Sequence, residues 1–152
     1  QVVALLCYNH GIPSTVEKRL NIAERIFSKV NEYGIPESNV YIDPLVIALA
    51  TDEQSMTKFA ACTRQLRELY PEAHITSGLS NISFGLPARK VINSAFMVLA
   101  MHAGMDSAIV DPLNRDLLGL IYATEALTEC DEYCLGFIKA YRQGIIGKPT
   151  KK

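Results

Sequence analysis

The sequence predicts an α/β fold built on parallel strands, and three observations carry this. Short apolar runs that read as strands begin near residues 2, 39, 74 and 107, roughly 33 to 37 residues apart. Between them, apolar residues recur at helical spacing. No hairpin signal joins any two of the runs, so successive strands are linked by crossovers and run parallel. Four strand–helix units in succession fit either half of an eightfold barrel or a small open doubly wound sheet. Periodicity does not choose between them.

The first run, Val2 to Cys7, is continuously apolar, as expected of a strand buried on both faces. Tyr8 to Ser14 is a turn with Gly11 and Pro13. Val16, Leu20, Ala23, Ile26, Phe27 and Val30 mark an amphipathic helix, and Gly34 stands where such a helix ends. Val40, Tyr41 and Ile42 form the second strand, which ends on Asp43-Pro44. Met56, Phe59, Ala60, Thr63, Leu66 and Leu69 describe the buried side of the next helix. Lys58, Arg64, Arg67 and Glu68 fall on its solvent side, and Pro71 closes it.

Ala73 to Ser77 reads as the third strand. A helix from Ala88 to Ala103-Gly104 follows, marked by Val91, Ile92, Ala95, Phe96, Leu99 and Ala103. Ser107 to Val110 is expected as a fourth strand, ending on Asp111-Pro112. Leu117, Leu118, Ile121, Tyr122, Ala123 and Leu127 then form a helix, and a last helix covers Tyr133 to Tyr141. Residues 144–152 are expected to be a mobile tail. The chain opens directly on an apolar run with no initiator Met, which reads as a cut through a larger domain.

Composition bounds the function. The chain of 152 residues, 49% hydrophobic and 20% charged, can bury a substantial core. A net charge of −1 and the lack of a basic stripe argue against nucleic acid. No apolar run is long enough for a transmembrane helix, so no membrane partner is expected. Cys7, Cys62, Cys130 and Cys134 do not form a disulfide pattern, and a reducing cytoplasm is the simplest location. His10, His74 and His102 have no metal-ligand spacing. Cys130 and Cys134 lack a second ligand pair, so no metal site is expected.

The stretch from Gly78 to Asn93 joins the third strand to its helix and is unusually long and polar. Gly78 and Gly85 allow sharp turns or close approach to a ligand. Ser80, Asn81 and Ser83 lie between them, and Arg89 follows on the first helical turn. Loops at the C-terminal ends of parallel strands are where such folds place ligands. Asp43 and Asn81 end consecutive strands and can converge on one ligand. A carboxylate and an amide suit a flat heterocycle with ring N–H and amino donors. Each residue also has a plainer reading. Asp43-Pro44 and Asp111-Pro112 can be turns or caps, Asn81 a turn residue, and Arg89 a solvated charge or an anion contact.

The Gly78–Asn93 stretch, with Ile42-Asp43-Pro44-Leu45 before it and Ala103-Gly104-Met105-Asp106-Ser107-Ala108-Ile109 after it, resembles the methyltetrahydrofolate–corrinoid protein methyltransferases. These pterin-binding enzymes are related to the folate module of cobalamin-dependent methionine synthase. The resemblance implies an eightfold barrel with the pterin at its C-terminal mouth. Residues 1–152 would be the C-terminal half of that TIM-type (β/α)8 barrel. It implies Asp43 as the carboxylate that holds the pterin ring and Asn81 as the catalytic amide at N5. Gly78, Ser80 and Arg89 would shape the same pocket. Methyltetrahydrofolate would be the substrate, and cobalamin or another corrinoid would be carried by a partner protein. Other acidic and amide ligands of the family lie on strands that precede this segment.

Two other functions compete with that one. A dihydropteroate synthase-like enzyme would form a carbon–nitrogen bond, but Ala88-Arg89-Lys90 only partly matches its Ser-Arg-Lys loop. An inactive fragment with an assembly role is the non-enzymatic reading. Four strands of a half barrel leave open edges, so a homodimer is expected.

Overall fold

A computed structural model of the chain describes residues 1–9 and 11–147. It comprises two compact units, Gln1–Ile109 and Val110–Lys152.

The first unit holds a parallel sheet of three strands, β1 (Val2–Leu5), β2 (Val40–Asp43) and β3 (His74–Ile75), in the order β1-β2-β3. Val3 pairs with Tyr41, Leu5 with Asp43, and Tyr41 with His74. Side chains alternate across a sheet, so Val3, Leu5, Tyr41, Asp43 and His74 share one face. Val40, Ile42 and Ile75 share the other, and all three are buried. Helices α1 (Val16–Glu32), α2 (Ser55–Leu69) and α3 (Arg89–Ala103) supply the rest of the core.

Each helix begins and ends for local reasons. The Thr15 hydroxyl caps α1 by accepting from the Lys18 N–H. Past its last turn Gly34 adopts φ 65°, and the Ile35 N–H returns to the Val30 carbonyl. Gly104, at φ 113°, ends α3 in the same way. Phe27 stacks on Tyr70 at 3.7 Å between ring centres, and Phe59 meets Phe96 edge-on at 5.2 Å. Burying each such ring contributes about 1.5–3 kcal/mol.

Several expectations change here. The run from Val2 to Cys7 is not a strand buried on both faces. β1 stops at Leu5 and is an edge strand, with Val3 66% and Leu5 48% exposed; only Leu6 is fully buried. The expected strand Ala73 to Ser77 shortens to two residues. No regular strand forms at Ser107 to Val110. The Asp106 and Ser107 N–H groups both donate to the single carbonyl of Ile75, which breaks the even spacing of a parallel ladder. The segment nonetheless runs parallel beside β3, through the Ile109 N–H to Ser77 and a bridge between Gly78 and Ile109.

Helix faces shift as well. Leu69, Val91 and Leu99 are exposed despite their apolar spacing. Arg67 is half-buried rather than solvated: its Nε donates to the Gly104 carbonyl and its Nη1 to that of Ala73. On α1 the buried stripe is Arg19, Ile22, Ala23, Phe27 and Val30, so a charged residue occupies the stripe.

The second unit contains α4 (Arg115–Leu127) and α5 (Leu135–Arg142). The Asn114 side chain caps α4 by accepting from Leu117. The expected helix from Tyr133 starts later because Tyr133 and Cys134 adopt positive φ. Asp131 then caps α5, accepting from the Gly136 and Phe137 N–H groups. Residues 148–152 of the expected tail, like His10, lie outside the described residues.

Candidate pterin site at the C-terminal ends of the strands

Because the three strands are parallel, Cys7, Asp43 and Ser77-Gly78 all emerge at one edge of the sheet. Asp43 is the last residue of β2 and lies on the sheet face that it shares with Val3, Leu5 and Tyr41. Its Oδ1 accepts from the Leu45 N–H at 2.8 Å, closing a turn over Pro44. Leu45 adopts φ 64°, a left-handed conformation that costs about 1–2 kcal/mol in a non-glycine residue. The turn reading of Asp-Pro is therefore correct as far as it goes. Asp111 makes the same bond to the Leu113 N–H at 2.9 Å.

The two carboxylates differ in burial. Asp111 is exposed, whereas Asp43 is partly buried. Desolvation pushes the Asp43 pKa above the usual carboxylate range. The Leu45 N–H, the Ser77 hydroxyl and the positive charge of Arg19 oppose that rise in part. Ser77 Oγ is fully buried and faces Asp43, but makes no hydrogen bond of good geometry.

The loop after β3 is not an open coil. Leu79–Ser83 forms a 3-10 turn. Asn81 projects from it, and its amide folds back over Gly78, where an added Cβ would lie 3.4 Å from Nδ2. Among the described residues that amide makes no hydrogen bond, so it has unused donors and an unused acceptor. The Ser80 side chain is exposed while its carbonyl accepts from Arg89 Nη2 at 2.8 Å. Arg89 Nε donates to Ser83 Oγ at 3.0 Å, and Ser83 is buried. Ser83 is therefore a brace within the loop. Arg89, from the first turn of α3, clamps the loop at two points. The Leu49 N–H ties the segment after β2 to the Ile82 carbonyl, so the two loops are joined.

Contacts thus link Asp43 to Ser77 and Gly78 to Asn81, and Ser80, Ser83 and Arg89 to each other. Two features are not evident in the sequence. Ser77 has only the place of a strand end there. Arg19 is hidden because Leu20 beside it completes the apolar pattern. Its spacing to Ala23 and Phe27, by four and eight residues, was the available signal.

At the other end of β3, His74 stacks on Tyr41 with ring centres 4.6 Å apart. His74 Nδ1 lies 2.8 Å from Asp106 Oδ2, which also meets Arg67 Nη2 at 2.7 Å, and Asp106 Oδ1 accepts from the Ile75 N–H. Burial opposes ionisation of Asp106. Its bonds from His74, Arg67 and Ile75 outweigh that and hold its pKa below the usual range.

The fold defines a parallel α/β module with a desolvated carboxylate at the end of β2 and an amide without a hydrogen bond in the loop after β3. The chain belongs to the family of pterin binding enzymes, whose model matches residues 8–111. It is similar to a methylcorrinoid:tetrahydrofolate methyltransferase from Eubacterium limosum, at 48% identity over the whole chain and 56% of that relative. It also resembles methionine synthases of Mycobacterium tuberculosis, at 39% identity over 75% of this chain and 11% of that one, and of Mycobacterium leprae, at 40% over 75% and 10%. The chain thus spans 56% of the first relative's length and about a tenth of the others'.

Proposed function

We propose that this chain is the pterin-binding part of a methyltransferase that moves the N5-methyl group between methyltetrahydrofolate and the cobalt of a corrinoid protein. The observation that carries this reading is the unpartnered Asn81 amide, set over Gly78 on the strand end next to the desolvated Asp43. A ring of the pterin type presents N–H and amino donors to which a carboxylate accepts in a low-dielectric setting. The residues present therefore fit the substrate, with Gly78, Ser80 and Arg89 forming and bracing the wall beside Asn81.

The corrinoid, carried by a partner protein, supplies a cobalt centre that gives or takes the methyl group. The chain's own residues do the rest. Asp43 fixes the ring, and Asn81 hydrogen-bonds at N5. When the methyl leaves N5, the nitrogen–carbon bond breaks and its electron pair stays on nitrogen. That departure is easier the more the amine is protonated or strongly hydrogen-bonded. Asn81 is not an acid, so its contribution is a preorganised dipole that favours the protonated amine in the transition state.

We also infer that residues 1–152 form the C-terminal half of a TIM-type barrel. The partly exposed face of Val3, Leu5, Tyr41 and Asp43 has the position of a barrel interior, and among the described residues β1 pairs on one side alone. A groove of about 1000 Å³ lies beside β1, lined in part by Leu5, Tyr8, Ile22, Ile26 and Val30. It has the place of a packing seat for a preceding strand–helix unit.

The test is single-turnover methyl exchange between tetrahydrofolate and a methylated corrinoid protein, with the full-length protein carrying this segment. Exchange that requires the protein is expected. Absence of both exchange and folate binding overturns the reading.

A further inference from the structure

The buried arginine on α1 offers a further positioning residue, an inference that rests on the pterin reading. Arg19 is 2% exposed, and among the described residues no carboxylate lies within ion-pair distance of it. Its guanidinium donates to two backbone carbonyls, Pro13 at 3.2 Å through Nε and Leu45 at 3.0 Å through Nη1. Pro13 belongs to the loop after β1 and Leu45 to the loop after β2. Arg19 therefore joins two loops at the strand edge that carries the candidate site.

The Leu45 residue is held at both its polar groups. Its N–H is taken by Asp43 and its carbonyl by Arg19. A left-handed leucine persists only where its surroundings hold it, and these two bonds do so.

A buried cation without an ion pair is costly, so its long-range partners matter. Three groups that can carry negative charge act on Arg19: Cys62, Asp52 and Asp43. Burial pushes the Cys62 thiol up to about 11, so it is neutral at pH 7. Asp52 is paired with Lys58 at 2.8 Å and is the stronger of the two carboxylates acting on Arg19. Asp43 is the weaker, and it is the one whose own turn Arg19 holds through the Leu45 carbonyl.

We propose that Arg19 positions the pterin site: it ties the Leu45 turn that aims Asp43 to the loop after β1, and its buried guanidinium lies within electrostatic reach of that carboxylate. The position calls for charge and donors in one place, which a neutral side chain of similar length does not meet.

The experiment uses the full-length protein as wild type, Arg19→Met, Arg19→Gln, Arg19→Lys and Asp43→Asn. The Asp43 carboxyl carbon is titrated by NMR, and tetrahydrofolate affinity is measured by calorimetry across pH. The Asp43 midpoint should rise in Arg19→Met and Arg19→Gln but stay close to wild type in Arg19→Lys. Folate affinity at neutral pH should fall about tenfold in the neutral variants, the loss typical of a weakened charge-assisted bond, with partial recovery in Arg19→Lys. An unmoved Asp43 midpoint in a folded Arg19→Gln protein overturns the proposal, even if folate binds. A wild type that binds no folate, but whose Asp43 midpoint responds to Arg19, overturns the pterin reading and leaves the Arg19–Asp43 coupling in place.

Discussion

The side-chain amide of Asn81 lies over Gly78, with Nδ2 3.4 Å from the point a Cβ would occupy. That is ordinary van der Waals contact, and Gly78 has an ordinary negative φ of −75°, so neither a clash nor backbone strain demands glycine there. Gly78→Ala should fold normally and put a methyl group in contact with the amide, which restricts its rotation. Methyl transfer should slow, with little change in melting temperature. An unchanged rate would show that the rotation of the Asn81 amide is unimportant.

Removing the amide should act on chemistry more than on affinity. In the full-length protein, Asn81→Ala is expected to slow single-turnover methyl transfer by about 10²–10³, as for loss of one preorganised donor. Folate affinity should change much less, because the bond at N5 matters most as charge develops there. Equal rates for wild type and variant would remove Asn81 from the mechanism.

Asp43 should behave in the opposite way. Asp43→Ala deprives buried ligand donors of their acceptor and should weaken folate binding by about tenfold or more. Asp43→Asn should lie between, since an amide presents a donor where the ring also donates. The pH dependence follows from the raised pKa. The acceptor form is lost as pH falls through that value, so folate affinity should drop at a higher pH than an ordinary aspartate would produce. Asp43→Asn should abolish that acid limb, and calorimetry at several pH values reads both effects.

Asp106 has the reverse sign. Its folded pKa is depressed, so its contribution to stability is present above the unfolded value and is lost as pH falls through the folded one. Asp106→Asn should flatten that part of the stability curve. Because the carboxylate is 38% exposed, its contribution at neutral pH is discounted to about 1 kcal/mol. Urea titrations of both proteins at neutral and acid pH would measure it. A variant that loses as much stability on acidification as the wild type would place the acid sensitivity elsewhere.

The isolated segment of 152 residues should not remain a monomer. Its β1 edge is free, and Val3, Leu5 and Ile109 are exposed. A homodimer or larger species is expected by light scattering, with poor folate binding. A monodisperse monomer with micromolar or tighter affinity would overturn the half-barrel reading.

Much of the fold was legible because periodicity reports burial. The first three helices were visible in their stripes, though Leu69, Val91 and Leu99 proved exposed, and Gly34 and Gly104 marked helix ends correctly. Strand quality was less legible. The Val2 to Cys7 run has the composition of a central strand, yet composition carries no information about neighbours, and β1 has only one. The irregularity at Asp106 and Ser107 arises from two N–H groups sharing the Ile75 carbonyl, a matter of register that residue types do not encode. Asp43 and Asn81 were visible as polar residues at strand ends. Arg19 was not, because a charged residue within an apolar stripe reads as noise until its two carbonyl partners, 6 and 26 residues away, are seen.

The tripeptide Asp-Pro-Leu occurs twice, at 43–45 and at 111–113, and closes the same bond each time. The residues and the bond are the same, yet the backbone is not: Leu45 is left-handed at φ 64°, and Leu113 is not among the residues with positive φ. Leu45 also gives its carbonyl to Arg19. One molecule thus carries the same short phrase in two readings, and comparing them separates what the tripeptide dictates from what the fold imposes on it.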